Sequence, residues 1–151
     1  MNESHSEIKK LVSENPNMIY LEDSMVNVLG YNVYGSPFGN NFTQTAFTRT
    51  DEEQEAIWAK IPTETEILVT HGPPHGILDA VLPSNFKCGT PALKIEVLER
   101  VKPLVHCFGH IHDDNGAISI DKNLFLNSAI CTARYNATQA CHWFDLPVKK
   151  M

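Results

Sequence analysis

The sequence predicts an α/β fold, because two buried strands with a helix between them follow one another along the chain. The segments TEILVT (65–70) and PLVHCF (103–108) are rich in apolar and β-branched residues, as buried strands are. Each runs directly into a loop with glycine and histidine, HGPPHG after the first and GHIH after the second. TPALKIEVLERV (90–101) lies between them and predicts a helix. This order predicts two parallel neighbouring strands whose loops meet at one edge of the sheet.

The first third of the chain predicts a helix, short strands and a loop. HSEIKKLVSE (5–14) has apolar residues at helical spacing, and NPN ends it. MIYLE (18–22) and VNVLGYNVYGS (26–36) show the alternating pattern of short strands, with a glycine at the expected hairpin. PFGNNFTQTAFTR is expected to be a loop, because it is rich in asparagine and glycine.

Capping and turn residues define the remaining elements. In TDEEQEAIWAKI (50–61), Thr50 and Glu53 form a capping box at the start of a helix. HGPPHG can be neither helix nor central strand, since two prolines and two glycines break both. Thr90 as N-cap and Pro91 at the first position begin the helix over 90–101. Further short strands are expected in AISI, LFLN and CHWFDL.

The composition is that of an ordinary globular domain, and its charge disfavours one class of function. The chain has 151 residues, 42% of them hydrophobic, which is enough for one domain with a core. With 12 basic and 18 acidic residues the net charge is −6, so no broad nucleic-acid surface is expected. No apolar run approaches a membrane span or a signal-peptide core, so we expect a cytoplasmic protein without membrane contact whose cysteines are free thiols.

The histidines at the two strand ends are candidate metal ligands. Neutral imidazole is the commonest metal ligand, and an adjacent glycine lets the backbone turn toward a cleft. His71 follows the first buried strand, and His110 and His112 follow the second. An extended backbone would send His110 and His112 to opposite faces, so a turn is needed for both to reach one site.

Other polar residues are weaker candidates. His75 lies beyond the prolines and could contact an anionic substrate from the rim, and Asn40 lies in a loop whose amides suit an oxyanion. His106 lies inside a strand and is expected to be a core histidine. Asp113 and Asp114 could bond to an imidazole N–H or lie in a solvated turn.

Two motifs together resemble a known family. ILVTHGPP followed by FGHIH is similar to the C-terminal half of the calcineurin-like metallophosphoesterase superfamily. MIYLEDSMVNVLGYNVYGSPF and VKPLVHCFGHIHDDNG are more similar still to its small fetal-brain 239-type phosphoesterases, and the similarity runs from about Ile8 to about Phe144. It implies the C-terminal half of an αββα sandwich with mixed sheets and flanking helices. It also implies hydrolysis of phosphomonoesters or phosphodiesters at a two-metal site of manganese, iron, zinc or magnesium.

The resemblance assigns His71 and His110 to one metal ion and His112 to the other. The family motifs D-x-H, G-D-x-x-D and G-N-H-[DE], which carry its aspartate ligands and a proton-donating histidine, do not occur in this sequence. We therefore expect a single domain over residues 1–151 that lacks the N-terminal metal-binding half. Two divalent ions about 3.5–4 Å apart repel by on the order of 20 kcal/mol, so a dinuclear centre is not expected from three neutral histidines.

Three functions remain open from the sequence. One is a metal-dependent phosphoester hydrolase acting on a phosphoester or nucleotide, weak or inactive as this chain alone. The alternative is a non-catalytic nucleotide- or protein-binding module built on half of the fold, with a partner chain or dimer covering the exposed sheet. The third is a tetrahedral zinc site made from His71, His75, His110 and His112.

Overall fold

The chain folds around one large mixed β-sheet. The computed structural model describes residues 3–40 and 47–149. Within these residues there are three α-helices and ten β-strands: α1 (Glu3–Ser13), β1 (Ser24–Val28), β2 (Tyr31–Ser36), β3 (Gly39–Asn40), β4 (Thr48–Arg49), α2 (Asp51–Trp58), β5 (Ile67–Thr70), β6 (Ala80–Val81), β7 (Phe86–Lys87), α3 (Pro91–Ile95), β8 (Val105–Phe108), β9 (Gly116–Ile120) and β10 (Asn123–Asn127). Helix α3 continues as a π-helical turn over Glu96–Arg100.

Six strands form the main sheet in the order β1-β2-β5-β8-β10-β9. The four inner strands β2, β5, β8 and β10 run parallel, while β1 and β9 are antiparallel edge strands. Strands β5 and β8 are parallel neighbours, with Leu68 opposite His106, so the predicted strand, helix and strand arrangement is confirmed. The α/β class with a mixed sheet and flanking helices is confirmed as well.

Local signals explain several element boundaries. The hairpin between β1 and β2 turns at Leu29 and Gly30, which both have positive φ, as a two-residue hairpin turn requires. The capping box of α2 is present, because the Thr50 side chain accepts from the backbone of Glu53 and the Glu53 side chain from that of Thr50. Pro91 occupies the first turn of α3.

Two predicted strands are wrong. Residues 18–22 form no strand, and their apolar pattern reflects packing, since the Leu21 side chain fills the space that a side chain on Gly35 would occupy. Residues 141–146 are not a strand either. The segment 141–149, here called the tail, is held by hydrogen bonds from side chains, such as that from Tyr31 Oη to the carbonyl of Pro147 at 2.5 Å. The predicted loop before Thr50 contains the short strands β3 and β4, and its residues 41–46 lie outside the described part.

The two faces of the sheet differ in how they are covered. On the helix face, Tyr34, Leu68, His106 and Phe125 lie opposite one another in register and are at most 3% exposed. The apolar side chains of α2 and α3 pack onto this face and form the core. On the other side, here called the open face, Val69 of the inner strand β5 is 41% exposed.

A groove of about 450 Å³ runs along the open face and ends at the carboxyl end of β5. Its lining includes Ile19, Leu21, Gly35, Phe47, Val69 and His71. The groove therefore connects the exposed part of the sheet to one of the candidate ligands. Among the described residues, no helix combines the length and apolar character needed to span a membrane.

Candidate functional site

The structure brings His71 and His110 into contact at the carboxyl ends of β5 and β8. Nε2 of His71 lies 3.1 Å from Nδ1 of His110, and the ring centroids are 4.7 Å apart. The backbone N–H of Gly109 donates to the carbonyl oxygen of His71 at 3.0 Å. The two loops thus converge as the strand order predicts, since parallel strands present their carboxyl ends at the same edge of the sheet.

The backbone of His110 makes the turn that the GHIH segment requires. Its φ of 68° lies in the left-handed region, which non-glycine residues rarely adopt. The segment then enters a 3₁₀ turn over His112–Asp114. This change of direction removes the extended geometry that would have sent the two imidazoles to opposite faces.

His112 follows His110 in the same loop, and its ring orientation is fixed by the chain that follows. Its Nδ1 is 3.0 Å from the carbonyl oxygen of Thr132, and its ring lies edge-on to that of Tyr135, 5.3 Å between centroids. Because a carbonyl oxygen only accepts, Nδ1 of His112 is the donor in this bond, and Nε2 is the ring nitrogen outside it. A bond of this kind is typical of ligating histidines, whose second nitrogen donates to a carbonyl or a carboxylate.

Burial determines the protonation of the paired imidazoles. It lowers the pKa of His71, and it lowers that of His110, whose pKa is reduced further by the nearby His71 and His112. Neither ring therefore holds a second proton at neutral pH. Unprotonated imidazole is the form that can bind a metal ion.

His75 lies on the same loop as His71 but is oriented toward a different partner. Its Nδ1 is 3.8 Å from Oδ2 of the fully buried Asp79, and its side chain is 43% exposed. Asp79 Oδ2 also accepts the backbone N–H groups of Gly76 and Gly89, at 2.8 and 3.0 Å. Residues 3–40 and 47–149 contain no group of three or more His, Cys, Asp or Glu side chains that could hold a metal ion. The described residues therefore do not form the four-histidine zinc site.

Asn40 follows Gly39, whose backbone lies against the His71 ring. A Cβ added to Gly39 would lie 3.2 Å from Cδ2 of His71, so the β3 backbone passes directly beside the imidazole. Asn40 pairs with Arg49 of β4. The substrate-contact roles of Asn40 and His75 remain predictions.

The two aspartates after the histidine pair bond to a loop and not to an imidazole. Oδ2 of Asp114 accepts the N–H of Ala80 at 2.8 Å, and Oδ2 of Asp113 accepts that of Leu82 at 3.1 Å. They tie the segment carrying β6 to the end of the GHIH loop. Neither of the two roles considered for them from the sequence describes this arrangement.

Sequence reasoning missed several residues that shape the site. Thr70 and Gly109 fix the backbone around His71, Gly39 leaves room for its ring, and Thr132 orients His112. Glycine at positions 39 and 109 is the one local signal. The role of Thr132 depends on a contact across 20 positions of sequence that no local pattern marks.

The separation of the paired histidines is that of a hydrogen bond between the rings, and it is also that of two ligands of one ion. Two nitrogen ligands that are each about 2.0–2.1 Å from a shared ion lie about 3.0–3.4 Å apart, and the observed separation is 3.1 Å. A two-metal phosphoesterase centre also needs carboxylates, which normally offset the repulsion between the ions. The carboxylates of Asp79, Asp113 and Asp114 are bonded to backbone groups instead.

The chain is similar to known proteins over most of its length. No protein-family profile matches the chain. Metallophosphoesterase domain-containing protein 1 of Homo sapiens is 35% identical over 151 residues, covering 98% of this chain and 45% of the human protein. The chain is related to the metallophosphoesterase-domain proteins. The Mus musculus protein of the same name matches equally, and a UPF0046 protein of Caenorhabditis elegans is 32% identical over 133 residues, 87% of this chain and 33% of that protein.

The fold is shared with a solved structure. A crystal structure that is 16% identical in sequence superposes on 83% of this chain with a TM-score of 0.62. The match covers 51% of the solved chain, and the chain spans about half the length of the curated relatives it matches first. The α/β architecture is therefore shared with about half of the solved chain.

Proposed function

We propose that this chain supplies the histidine side of a metal-dependent phosphoester hydrolase site. The observation that carries the proposal is the 3.1 Å approach of His71 Nε2 to His110 Nδ1 at adjacent strand ends. The names of the human and mouse relatives, which describe a metallophosphoesterase domain, support it. The substrate class would be a phosphoester or nucleotide.

Each imidazole has a defined role in this proposal. His71 and His110 would hold one divalent ion (manganese, iron, zinc or magnesium), and His112 would bind through Nε2 while Thr132 fixes its other nitrogen. A bound ion would polarise the phosphoryl oxygen and make a hydroxide available near neutral pH. His75 and Asn40, which flank His71 in sequence, would contact the phosphoester oxygens.

The missing carboxylates determine the activity expected of this chain alone. The family's aspartate motifs do not occur in the sequence, so two ions would not be held together and hydrolysis should be weak or absent. The groove on the open face ends at His71, and Val69 in it is 41% exposed. We therefore propose that a polypeptide segment packing over this groove would bring carboxylates to the histidines.

The proposal is tested by complementation with the part of the human relative that this chain does not match. The chain is assayed with manganese and a chromogenic phosphodiester, alone and with the part of the human relative that it does not match. We expect almost no turnover alone, turnover in the mixture, and loss of that turnover in His110→Ala but not in the control His142→Ala. Equal turnover by the chain alone and in the mixture would show that the carboxylates are not needed.

A non-catalytic binding module is the second candidate, because the described residues contain no group of three metal donors. On this alternative the groove and loops bind a nucleotide or a protein without hydrolysis. Calorimetric titration with mononucleotides separates the two: binding together with no turnover in the complemented mixture favours the module.

A cytoplasmic location is also part of this proposal. Its support is that Cys88, Cys107, Cys131 and Cys141 are all free thiols, which oxidising compartments tend to pair.

A further inference from the structure

The histidine at position 106 is enclosed in the core close to the site but is not one of the proposed ligands. It is fully buried on the helix face of β8, with its ring edge-on to Phe108 and Phe125 at centroid distances of 4.9 and 5.8 Å. Burial lowers the pKa of His106 to about 3, so the ring is neutral at physiological pH. A neutral imidazole has one N–H to donate and one nitrogen that only accepts.

Thr70 determines which nitrogen of His106 carries the proton. The hydroxyl of Thr70 donates to the carbonyl of Gly72 at 2.8 Å, and its oxygen lies 2.9 Å from Nε2 of His106. Because a hydroxyl has a single proton, Nε2–H of His106 must donate to Thr70. Nδ1 of His106 then has a lone pair but no hydrogen-bond partner among the residues that the structure describes. An unpartnered nitrogen in the core costs free energy. Its presence indicates that the hydrogen bond donated by Nε2 of His106 has a structural role.

The hydrogen bonds around Thr70 enclose the backbone of His71 on both sides. The bond from Thr70 to Gly72 spans His71, and the N–H of Gly109 donates to the carbonyl of His71 itself at 3.0 Å. His106 and Gly109 both belong to β8 or its end. Strand β8 and its end therefore act on the backbone of His71 in two ways, through the His106 side chain by way of Thr70 and through the N–H of Gly109. His110, which follows Gly109, contacts the His71 ring.

We propose that His106 is a positioning residue, which acts through Thr70 to hold the backbone of His71 so that its ring meets that of His110. The inference deepens the proposed function, since His71 is one of its ligands. The contact between the rings of His71 and His110, which this proposal explains, is present in the metal-free chain. It can therefore be tested without turnover.

The variants separate the hydrogen bond from packing. Thr70→Val keeps side-chain volume but removes the acceptor, and His106→Phe keeps an aromatic ring but removes the donor, while Thr70→Ser and His106→Gln keep an acceptor and a donor. Thr65→Val is the matched control, because Thr65 is also buried and precedes the same strand but its hydroxyl has no hydrogen-bond partner.

The primary measurement is the NOE between the ring protons of His71 and His110 in histidine-labelled, metal-free protein. We expect the cross-peak in the wild type, Thr70→Ser, His106→Gln and Thr65→Val, and its loss in Thr70→Val and His106→Phe. Wild-type intensity in both of the latter variants would overturn the proposal, and so would the absence of the cross-peak from the wild type. The two restoring variants keep the test decisive if one of the others does not fold.

Zinc affinity is the second measurement. Loss of a group that orients a ligand typically weakens metal binding by about 10–100-fold, so we expect a dissociation constant at least about tenfold higher in Thr70→Val and His106→Phe. Unchanged affinity in both would count against positioning. If the wild type shows the cross-peak but binds no zinc, the proposed function fails while the positioning role stands.

Discussion

The two faces of the sheet come from the same strands but are covered differently. Leu68 and Val69 are neighbours in β5, yet Leu68 is fully buried under the helices and Val69 is 41% exposed. The helix face has the apolar side chains of α2 and α3 packed on it. The open face has Leu21 against Gly35 and, near β2, the irregular tail, which is bonded to Tyr31.

The difference shows which face of the sheet carries the core and which face is exposed beside the candidate site. The helix face carries the packed core, while the groove on the open face leads to His71. An inner parallel strand is ordinarily buried on both faces, so the exposure of Val69 is unusual for its position. An exposed apolar surface beside candidate ligands is typical of an interaction surface.

The largest expected effect contrasts the neighbouring residues of β5. Leu68→Ala should lower the free energy of unfolding by about 3 kcal/mol, because it leaves a cavity in the packed core. Val69→Ala should lower it by about 1 kcal/mol or less, since much of that side chain is already in water. Urea denaturation of the two variants measures both values. Equal losses would show that the faces are covered alike.

The second prediction concerns the acid stability of the helix face. Above pH 6.5 His106 is neutral in both states, but at lower pH the unfolded chain takes up a proton while the folded pKa, lowered by burial to about 3, prevents this. The folded state therefore loses about 1.4 kcal/mol per pH unit from this group, or about 2 kcal/mol between pH 7 and pH 5. His106→Phe should lose correspondingly less over that interval. Parallel curves of unfolding free energy against pH for the two proteins would contradict the assignment.

The smallest effect is expected where the tail meets the open face. Tyr31→Phe removes the hydrogen bond to Pro147 and should lower the free energy of unfolding by about 1 kcal/mol, with faster proteolysis of the tail. Tyr20→Phe is the control, because its hydroxyl bonds to Glu22 two residues away. Similar proteolysis of the tail in both variants would mean that Tyr31 does not anchor it.

Much of the fold could be predicted from local patterns. The apolar runs of β5 and β8, the capping box at Thr50 and Pro91 at the start of α3 identified their elements, because burial, capping and proline act over a few residues. Residues 18–22 and 141–146 show the limit of this reasoning. Their apolar pattern is real, but Leu21 packs against Gly35 without strand pairing and Trp143 is 93% exposed, and alternation cannot distinguish these cases from a strand.

The approach of two candidate ligands could be predicted from the sequence, but the contacts that support the candidate ligands could not. Strand order and the two histidine loops were enough to place His71 beside His110. The contacts from Thr132 to His112 and from His106 to Thr70 join positions 20 and 36 residues apart, so they depend on the tertiary fold. His106 was expected to be a core histidine. It is one, and its hydrogen bond to the residue before His71 became visible only in three dimensions.

The most direct test of the central claim is calorimetric titration of the chain with zinc or manganese. If His71 and His110 share an ion, the wild type and His75→Ala should bind close to one ion per chain, and His71→Ala and His110→Ala should each abolish this binding. No binding by the wild type, or binding that both alanine variants keep, would contradict the assignment of these histidines as metal ligands.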